Sequence, residues 1–194
     1  MKFKEYVPLA MRTCKQLSFV KHVEHMALGM AGEMGEIIDA IKKAEIYGKE
    51  LDRVNLAEEV GDVFWYAAGF ASTLEDGENL LDVVNMAEAI DIEELHKAKQ
   101  NIVLSLLAIN GVIAELCVEA VYAAHQCSGE EYKIHASRLI VTAYAVSVLL
   151  DIDLEKALDA NIEKLAKRYG DKYSDYSALN RDTDAEREIL EGKV

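Results

Sequence analysis

Only one proline, Pro8, occurs in this chain of 194 residues, and apolar residues recur at the helical period over long stretches. A chain with so few helix breakers and so few clusters of β-branched residues is expected to be helical throughout. Turn signals divide it at 47–49, 75–77, 127–129 and 170–171. A short helix near the N-terminus precedes predicted helices over roughly 20–46, 52–75, 93–126, 131–150 and 153–169. Residues 77–92 are ambiguous, and a short amphipathic helix is one interpretation of them. We therefore predict an all-α antiparallel helical bundle.

The length suits one domain, which we place at 1–173, followed by a polar C-terminal tail at 174–194. The net charge of −14 excludes two classes of partner, because nucleic acid and anionic membranes would both repel the chain. The same surplus of carboxylates favours hard divalent cations such as Mg²⁺. The three cysteines are too few and too scattered for a disulfide framework, and no secretory signal precedes them. We expect a cytoplasmic protein.

The segment Ile102–Ala124 is the closest in the sequence to a membrane span. It contains Asn110, Glu115 and Glu119, which would be costly in lipid. We interpret it as a helix buried in protein, and the chain as soluble with no membrane partner. Helices that are apolar nearly all round belong in the middle of a bundle or at a subunit interface.

Two acidic pairs stand out, Glu33-x-x-Glu36 and Glu59-x-x-Asp62. About six such pairs would arise by chance in so acidic a chain, so their placement matters more than their presence. Each pair borders the apolar stripe of its helix, and an antiparallel arrangement of the two helices would bring four carboxylates together. Such a cluster is repulsive unless cations neutralise it. Four separate surface acids are the alternative. Glu58 points elsewhere and is expected to be a solvated charge.

Glycines at positions 29, 32 and 35 lie inside the first acidic helix. Glycine in a helix interior costs roughly 1 kcal/mol relative to alanine, so three of them require a reason. Close approach of another helix or of a ligand is the one that we expect.

Four ring side chains near the acids have alternative interpretations. Tyr66 shares the edge of the second acidic pair, where it could contact a substrate or form part of the border of the core. Trp65 points almost opposite the core stripe, which favours an exposed partner surface over a base pocket. His22 and His25 have metal-ligand spacing, but no further histidine or cysteine matches them, so ordinary surface histidines are favoured.

These residues carry a family resemblance. LGMAGEMGEIID at 28–39 and NLAEEVGDVFWY at 55–66 resemble the MazG-type all-α nucleoside triphosphate pyrophosphohydrolases, a superfamily that includes dimeric dUTPases and dCTP pyrophosphatases. Its signature is E-x-x-E, a spacer and E-x-x-D, and here the spacer is the 22 residues 37–58. The segment 153–169 resembles the closing helix of short members. The resemblance implies a core of 20–76 and 152–169, with extra helices over 77–151. These extra helices form a central helical hairpin, which is either an insertion or a decayed duplication.

The resemblance implies hydrolysis of a nucleoside triphosphate to the monophosphate and pyrophosphate. By similarity, Glu33, Glu36, Glu59 and Asp62 would hold Mg²⁺, for which Mn²⁺ could substitute. One glutamate would accept a proton from the attacking water, and we name Glu36 and Glu59 as the catalytic candidates.

The closing helix has Asn161, Lys164 and Arg168 along one edge. The two cations there could bind phosphate oxygens. The alternative is that they form a basic side of the helix exposed to solvent. With Tyr66 they form the predicted substrate-binding set. The family also implies a homo-oligomer, with a dimer favoured. Two other functions remain open: a catalytically silent oligomer that serves as a nucleotide sensor or scaffold, and a divalent-metal buffer.

Overall fold

The computed structural model describes residues 1–83, 97–170, 173, 174, 176, 186–188, 191 and 192. Across these residues the chain forms helices and no β-strand, which confirms the all-α prediction. The helices are α1 (Phe3–Ala10), α2 (Phe19–Glu45), α3 (Arg53–Ala71), α4 (Leu80–Val83), α5 (Ile102–His125), α6 (Gly129–Leu149) and α7 (Leu154–Tyr169). Short 3₁₀ turns occupy Met11–Thr13 and Gly77–Asn79. Residues 84–92 of the ambiguous stretch and the predicted helix start at 93–96 lie outside the described residues.

Polar caps and left-handed turn residues set most of the helix ends. The side chains of Asp52, Asn101 and Asp153 accept hydrogen bonds from backbone amides at the starts of α3, α5 and α7. Gly48 and Gly170 have positive φ just after α2 and α7, a conformation that glycine adopts without strain. Cys127 also has positive φ, between the end of α5 at His125 and the start of α6 at Gly129. The breaks predicted around 48, 128 and 170 are therefore confirmed.

Helix α3 ends at Ala71, four residues before the predicted end. The hydroxyls of Ser72 and Thr73 donate to the carbonyl oxygens of Gly69 and Phe70, at 2.8 and 2.6 Å. These local bonds compete with helix continuation. The chain then folds so tightly against the end of α3 that a Cβ on Gly77 would overlap the backbone there.

Four helices form the bundle. α2 packs against α3 and α5, while α6 packs against α3 and α5, and short loops join the hairpins α2–α3 and α5–α6. Helices α1 and α7 pack together against α3. The apolar stripes predicted for α2 and α3 begin at Val20 and end at Leu74, and these two residues are half-buried. The other members are buried in the core, at Val23, Met26, Met30, Met34, Ile37 and Ile41 and at Leu56, Val60, Val63, Phe64, Ala67 and Phe70. The acids that border these stripes therefore face one another across the α2–α3 contact.

Helix α5 is less buried than its sequence suggested. Among the described residues it is the one helix that is long and apolar enough to cross a membrane, and only 22% of its most apolar 18-residue window is buried in the chain. Leu104, Val118 and Tyr122 are 60–67% exposed. The prediction of a helix buried in protein is therefore wrong for the single chain. The reason is that α5 lies at a corner of the bundle, where α2 and α6 cover only its inner side.

Candidate active site

Three carboxylates meet where α2 crosses α3. Glu33 of α2 and Glu59 and Asp62 of α3 each place an oxygen atom within 4.8 Å of the other two. All three side chains are half-buried. We call these residues the acidic triad. Glu36 lies one turn farther along α2 and is exposed; it is not one of these three, although its negative charge helps to raise the pKa of Glu33.

The acidic triad retains a proton near neutral pH. Burial and the charge of Asp62 raise the pKa of Glu33 to about 7 and that of Glu59 to about 8. The charge of Glu33 is a further cause of the raised pKa of Glu59. A divalent cation could take the place of that proton, since three carboxylates from two helices form the hard oxygen donor set that Mg²⁺ and Mn²⁺ prefer. The residues present therefore fit such a metal.

Asp62 is held in place by the closing helix α7. The ammonium group of Lys164 donates to both carboxylate oxygens of Asp62 at 2.6 Å, and the amide of Asn161 donates to one of them at 2.6 Å. Burial of Lys164 opposes its charge, but the carboxylates of Asp62 and Glu58 outweigh that effect and raise its pKa. Lys164 is therefore a buried cation that neutralises one member of the acidic triad.

Glu58 also belongs to this network, so its prediction as a solvated charge is wrong. Its carboxylate accepts a hydrogen bond from Lys164 at 3.2 Å, and its side chain is only 16% exposed. The periodicity of α3 places Glu58 on the side that α7 covers, and α7 lies almost a hundred residues away in the sequence.

Tyr6 belongs to this network, although no sequence pattern pointed to it. Its hydroxyl donates to the side-chain oxygen Oδ1 of Asn161 at 2.7 Å, so that the Asn161 side chain links Tyr6 to Asp62. Burial, followed by the charge of Asp62, raises the pKa of Tyr6, which therefore remains a neutral donor. No local motif signals this role, because the two bonded residues are 155 positions apart.

A cavity of about 250 Å³ opens beside the acidic triad. Glu33 and Asp62 form part of its wall, and Arg168 supplies a positive charge. Much of the remaining wall consists of ring side chains, namely those of His25, Trp65, Tyr66, Tyr169 and Tyr173. A cavity with acids, a cation and aromatic rings can hold a ligand that is both aromatic and anionic, provided that a metal ion screens the acids.

Trp65 is one of these wall residues, and its prediction as an exposed partner surface is wrong. It is half-buried, and its indole N–H donates to the hydroxyl of Thr13 at 3.1 Å. Its ring meets that of Tyr66 edge-on with centroids 5.0 Å apart. The turn after α1 supplies Thr13 and covers a side of α3 that periodicity alone leaves open.

Tyr66 lies against α2 at Gly29, where an added Cβ would overlap its ring. The predicted close approach is therefore confirmed at Gly29. A Cβ at Gly32 or Gly35 would meet nothing within 4 Å, so packing does not require glycine at these two positions. Burial, Glu33 and Asp62 together raise the pKa of Tyr66, whose hydroxyl stays protonated at neutral pH.

His25 is a half-buried residue of the cavity wall. Its ring centroid lies 5.9 Å from that of Trp65 and 6.0 Å from that of Tyr66. Its Nδ1 atom is buried and finds no hydrogen-bond partner among the described residues. Burial, followed by the charges of His22 and Lys15, lowers the pKa of His25, so the ring is neutral at physiological pH.

Arg168 reaches the cavity from α7 but is engaged by the C-terminal segment. Its guanidinium group donates to both carboxylate oxygens of Glu186, at 2.7 and 2.6 Å. Burial opposes the charge of Arg168, and the paired carboxylate outweighs burial and raises its pKa. Glu186 lies within the predicted polar tail and is only 2% exposed, so this part of the tail contacts the domain.

Residues 21–91 match the family model of the MazG nucleotide pyrophosphohydrolase domain. The match includes both acidic pairs, and it confirms the resemblance to the MazG-type superfamily. It covers just over a third of the chain, and its last residues, 84–91, lie outside the described part. No curated protein and no solved structure matches the chain.

Proposed function

We propose that this protein, with its MazG nucleotide pyrophosphohydrolase domain, cleaves nucleoside triphosphates between the α and β phosphates in a Mg²⁺-dependent reaction. The products are the nucleoside monophosphate and pyrophosphate, and the role is housekeeping of the nucleotide pool in the cytoplasm. One observation carries the proposal: Glu33 and Asp62 of the acidic triad line an aromatic-walled cavity that Arg168 also lines. A triphosphate carries about four negative charges near neutral pH, so it can approach carboxylates only through cations.

Glu33, Glu59 and Asp62 are the proposed ligands of Mg²⁺, with Glu36 one helical turn away as a fourth. Mn²⁺ is the expected substitute, since it accepts the same carboxylate oxygens. When bound, the metal supplies charge neutralisation for the phosphate oxygens and lowers the pKa of a coordinated water. Without it, burial and the neighbouring carboxylates raise the pKa of Glu33 to about 7 and that of Glu59 to about 8.

In the proposed reaction, a water oxygen attacks the α phosphorus, and the bond from that phosphorus to the α–β bridging oxygen breaks. Pyrophosphate leaves with the bonding electron pair, and the proton of the water passes to a carboxylate. Glu36 is our first candidate for this acceptor, because it is exposed and lies outside the acidic triad. Glu59 is the second, since it lies within the acidic triad beside the proposed metal.

We assign Asn161 and Lys164 to positioning roles. Both act on Asp62, and the ammonium group of Lys164 is fully buried between Asp62 and Glu58. They would hold the Asp62 carboxylate in one orientation and lessen its repulsion of incoming phosphate. We assign direct phosphate contact to Arg168. Its planar guanidinium group donates two hydrogen bonds to the carboxylate of Glu186, and it can donate the same two bonds to phosphate oxygens instead.

The ring-lined wall of the cavity is the proposed site for the nucleobase. Trp65, Tyr66 and Tyr169 offer ring faces and edges for stacking. The half-buried ring of His25 completes this part of the wall.

The proposal is tested by following pyrophosphate release from all common ribo- and deoxyribonucleoside triphosphates, with Mg²⁺ and with EDTA. We expect monophosphate and pyrophosphate from at least one of them, and no reaction in EDTA. Glu59→Gln and Asp62→Asn should abolish turnover while the fold is kept. Glu45→Gln is the matched control, because Glu45 is an exposed acid at the far end of α2.

Three results would contradict the proposal. Nucleotide binding without turnover in Mg²⁺ or Mn²⁺ would favour the sensor function. Metal binding that no nucleotide alters would favour a metal buffer. Near-normal turnover in Asp62→Asn would place the chemistry outside the acidic triad.

A further inference from the structure

The buried hydroxyl of Tyr6 begins a chain of hydrogen bonds that ends at the acidic triad. Tyr6 lies on α1, which packs against α3 and α7, and its side chain is fully buried. Its hydroxyl donates to Oδ1 of Asn161 at 2.7 Å, and Nδ2 of Asn161 donates to Oδ1 of Asp62 at 2.6 Å. One intervening side chain therefore connects α1 to a proposed metal ligand.

The Tyr6 hydroxyl stabilises one orientation of the Asn161 amide. An amide group can be turned so that its oxygen and its nitrogen exchange places. The Asp62 carboxylate is ion-paired with Lys164 and accepts hydrogen bonds, so the amide nitrogen must face it. The amide oxygen then points away from Asp62, in a side chain that is only 2% exposed. A buried oxygen without a donor is costly, and Tyr6 supplies that donor.

Gly61 allows Asn161 to lie close to α3. This glycine directly precedes Asp62, and a Cβ added to it would lie 3.2 Å from the Cβ of Asn161 and 3.3 Å from its Nδ2. Contacts this short would force the side chain to shift by a few tenths of an ångström. Asn161 is therefore held at its oxygen by α1 and on another side by the backbone of α3.

The hydrogen bonds to Asp62 are divided unequally between its two oxygens. Oδ1 accepts from Asn161 and from Lys164, whereas Oδ2 accepts from Lys164 alone among the described residues. A carboxylate oxygen has about two lone-pair sites. The protein therefore uses both sites of Oδ1, and Oδ2 keeps one that a divalent cation can bind.

We propose that Tyr6 is a positioning residue of the metal site. Through Asn161 it holds the Asp62 carboxylate in the orientation that leaves a lone pair of Oδ2 available to the cation. This role rests on the proposed function, in which Asp62 is a ligand of Mg²⁺. Because Tyr6 acts through Asn161, its loss should weaken metal binding and leave the reaction of the metal-bound protein unchanged. Loss of a group bonded directly to a ligand lowers metal affinity ~10–100-fold, and we expect about five-fold for Tyr6, which lies one bond farther away.

Binding of Mn²⁺ in the absence of nucleotide tests this role, with free Mn²⁺ measured by electron paramagnetic resonance. Tyr6→Phe, which removes the hydroxyl alone, should bind Mn²⁺ about five-fold more weakly than the wild type. Tyr132→Phe is the matched control, because Tyr132 of α6 is also buried and its hydroxyl shares a hydrogen bond with that of Thr73 at 2.6 Å. The control should bind Mn²⁺ as the wild type does. Circular dichroism in EDTA shows whether each variant folds.

A double-mutant cycle tests whether Tyr6 acts through Asn161. Asn161→Ala should weaken Mn²⁺ binding more than Tyr6→Phe does, and adding Tyr6→Phe to Asn161→Ala should weaken it no further. Turnover gives a second readout. Tyr6→Phe should require more Mn²⁺ for half-maximal activity and reach the wild-type kcat when Mn²⁺ saturates. A purely structural tyrosine would lower the thermal midpoint in EDTA without changing either Mn²⁺ value.

Equal Mn²⁺ affinities of the wild type and Tyr6→Phe would overturn this role and leave the proposed function intact. Independent effects of Tyr6→Phe and Asn161→Ala, or a kcat that stays low in saturating Mn²⁺, would also overturn it. Mn²⁺ binding that Asp62→Asn does not change would overturn the proposed function, and the role of Tyr6 with it. If Tyr6→Phe fails to fold, Gly61→Ala takes its place, because it crowds Asn161 and keeps every hydrogen-bonding group. Its Mn²⁺ binding should be weaker, and unchanged binding would overturn the role.

Discussion

Removing one carboxylate of the acidic triad should stabilise the protein when no metal is present. The chosen change is Glu59→Gln, which keeps the shape of the side chain and removes its charge. In the wild type, Glu59 has a pKa of about 8 against an ordinary value of about 4.5, because burial and the neighbouring carboxylates disfavour its ionised form. A glutamine cannot ionise and can still donate a hydrogen bond to Glu33.

The sign of the pH effect follows from the direction of the shift. A carboxyl group whose pKa is higher in the folded than in the unfolded chain stabilises the fold fully below pH 4.5. This contribution is lost as the pH rises toward 8. The full shift corresponds to ~5 kcal/mol. Glu59 is only half-buried, and it shares one repulsive interaction with Glu33. We therefore expect the free energy of unfolding to fall by about 2 kcal/mol as the pH rises toward 8.

Urea denaturation in EDTA at pH 5 and pH 8.5 measures this difference. At pH 8.5, Glu59→Gln should unfold with a free energy about 2 kcal/mol higher than the wild type, a gain of about 4–8 °C in thermal midpoint for a domain of this size. At pH 5 the two proteins should agree closely. Millimolar Mg²⁺ should stabilise the wild type at pH 8.5 and leave the variant nearly unchanged. Equal stabilities of the two proteins at both pH values would refute the reasoning, and so would a variant that is less stable than the wild type at pH 8.5.

Three further substitutions probe the surroundings of the acidic triad. Gly29→Ala should displace the Tyr66 ring and destabilise the fold by about 1–3 kcal/mol; urea denaturation checks this, and an unchanged free energy would contradict it. Glu186→Gln should weaken the ion pair with Arg168 and so leave its guanidinium group free to bind phosphate. Steady-state kinetics should then show a KM several-fold lower with kcat unchanged, and a raised KM would contradict this. Lys164→Met should cost about 3–5 kcal/mol above pH 6, because it leaves carboxylates unpaired; a loss below 1 kcal/mol by urea denaturation would contradict it.

Helical periodicity was sufficient to predict the core and the meeting of three of the four acids, while Glu36 is exposed and lies outside the acidic triad. The apolar stripes of α2 and α3 are buried as expected, and residues at their borders converge because two amphipathic helices that share a core must bring those borders together. The spacing of apolar residues predicted the end of α3 less accurately. There the hydroxyls of Ser72 and Thr73 bond to backbone carbonyl oxygens, and residue spacing does not indicate such local bonds.

Contacts between distant parts of the chain account for the errors. Periodicity assigned Trp65 and Glu58 to open sides of α3, and these sides are covered by the turn after α1 and by α7. Tyr6 and Glu186 reach the site from the two ends of the chain, and no local pattern relates them to the acids. A single sequence records which side of a helix is apolar, but it does not record which segment packs onto the polar side.

The central claim is metal-dependent attack of water on the α phosphorus at the acidic triad. Its most direct test is hydrolysis of the preferred nucleotide in water enriched in oxygen-18, with mass spectrometry of both products. We predict that the label enters the nucleoside monophosphate and not the pyrophosphate, and that EDTA or Asp62→Asn prevents its incorporation. Label in pyrophosphate, or release of orthophosphate with a nucleoside diphosphate, would contradict the claim.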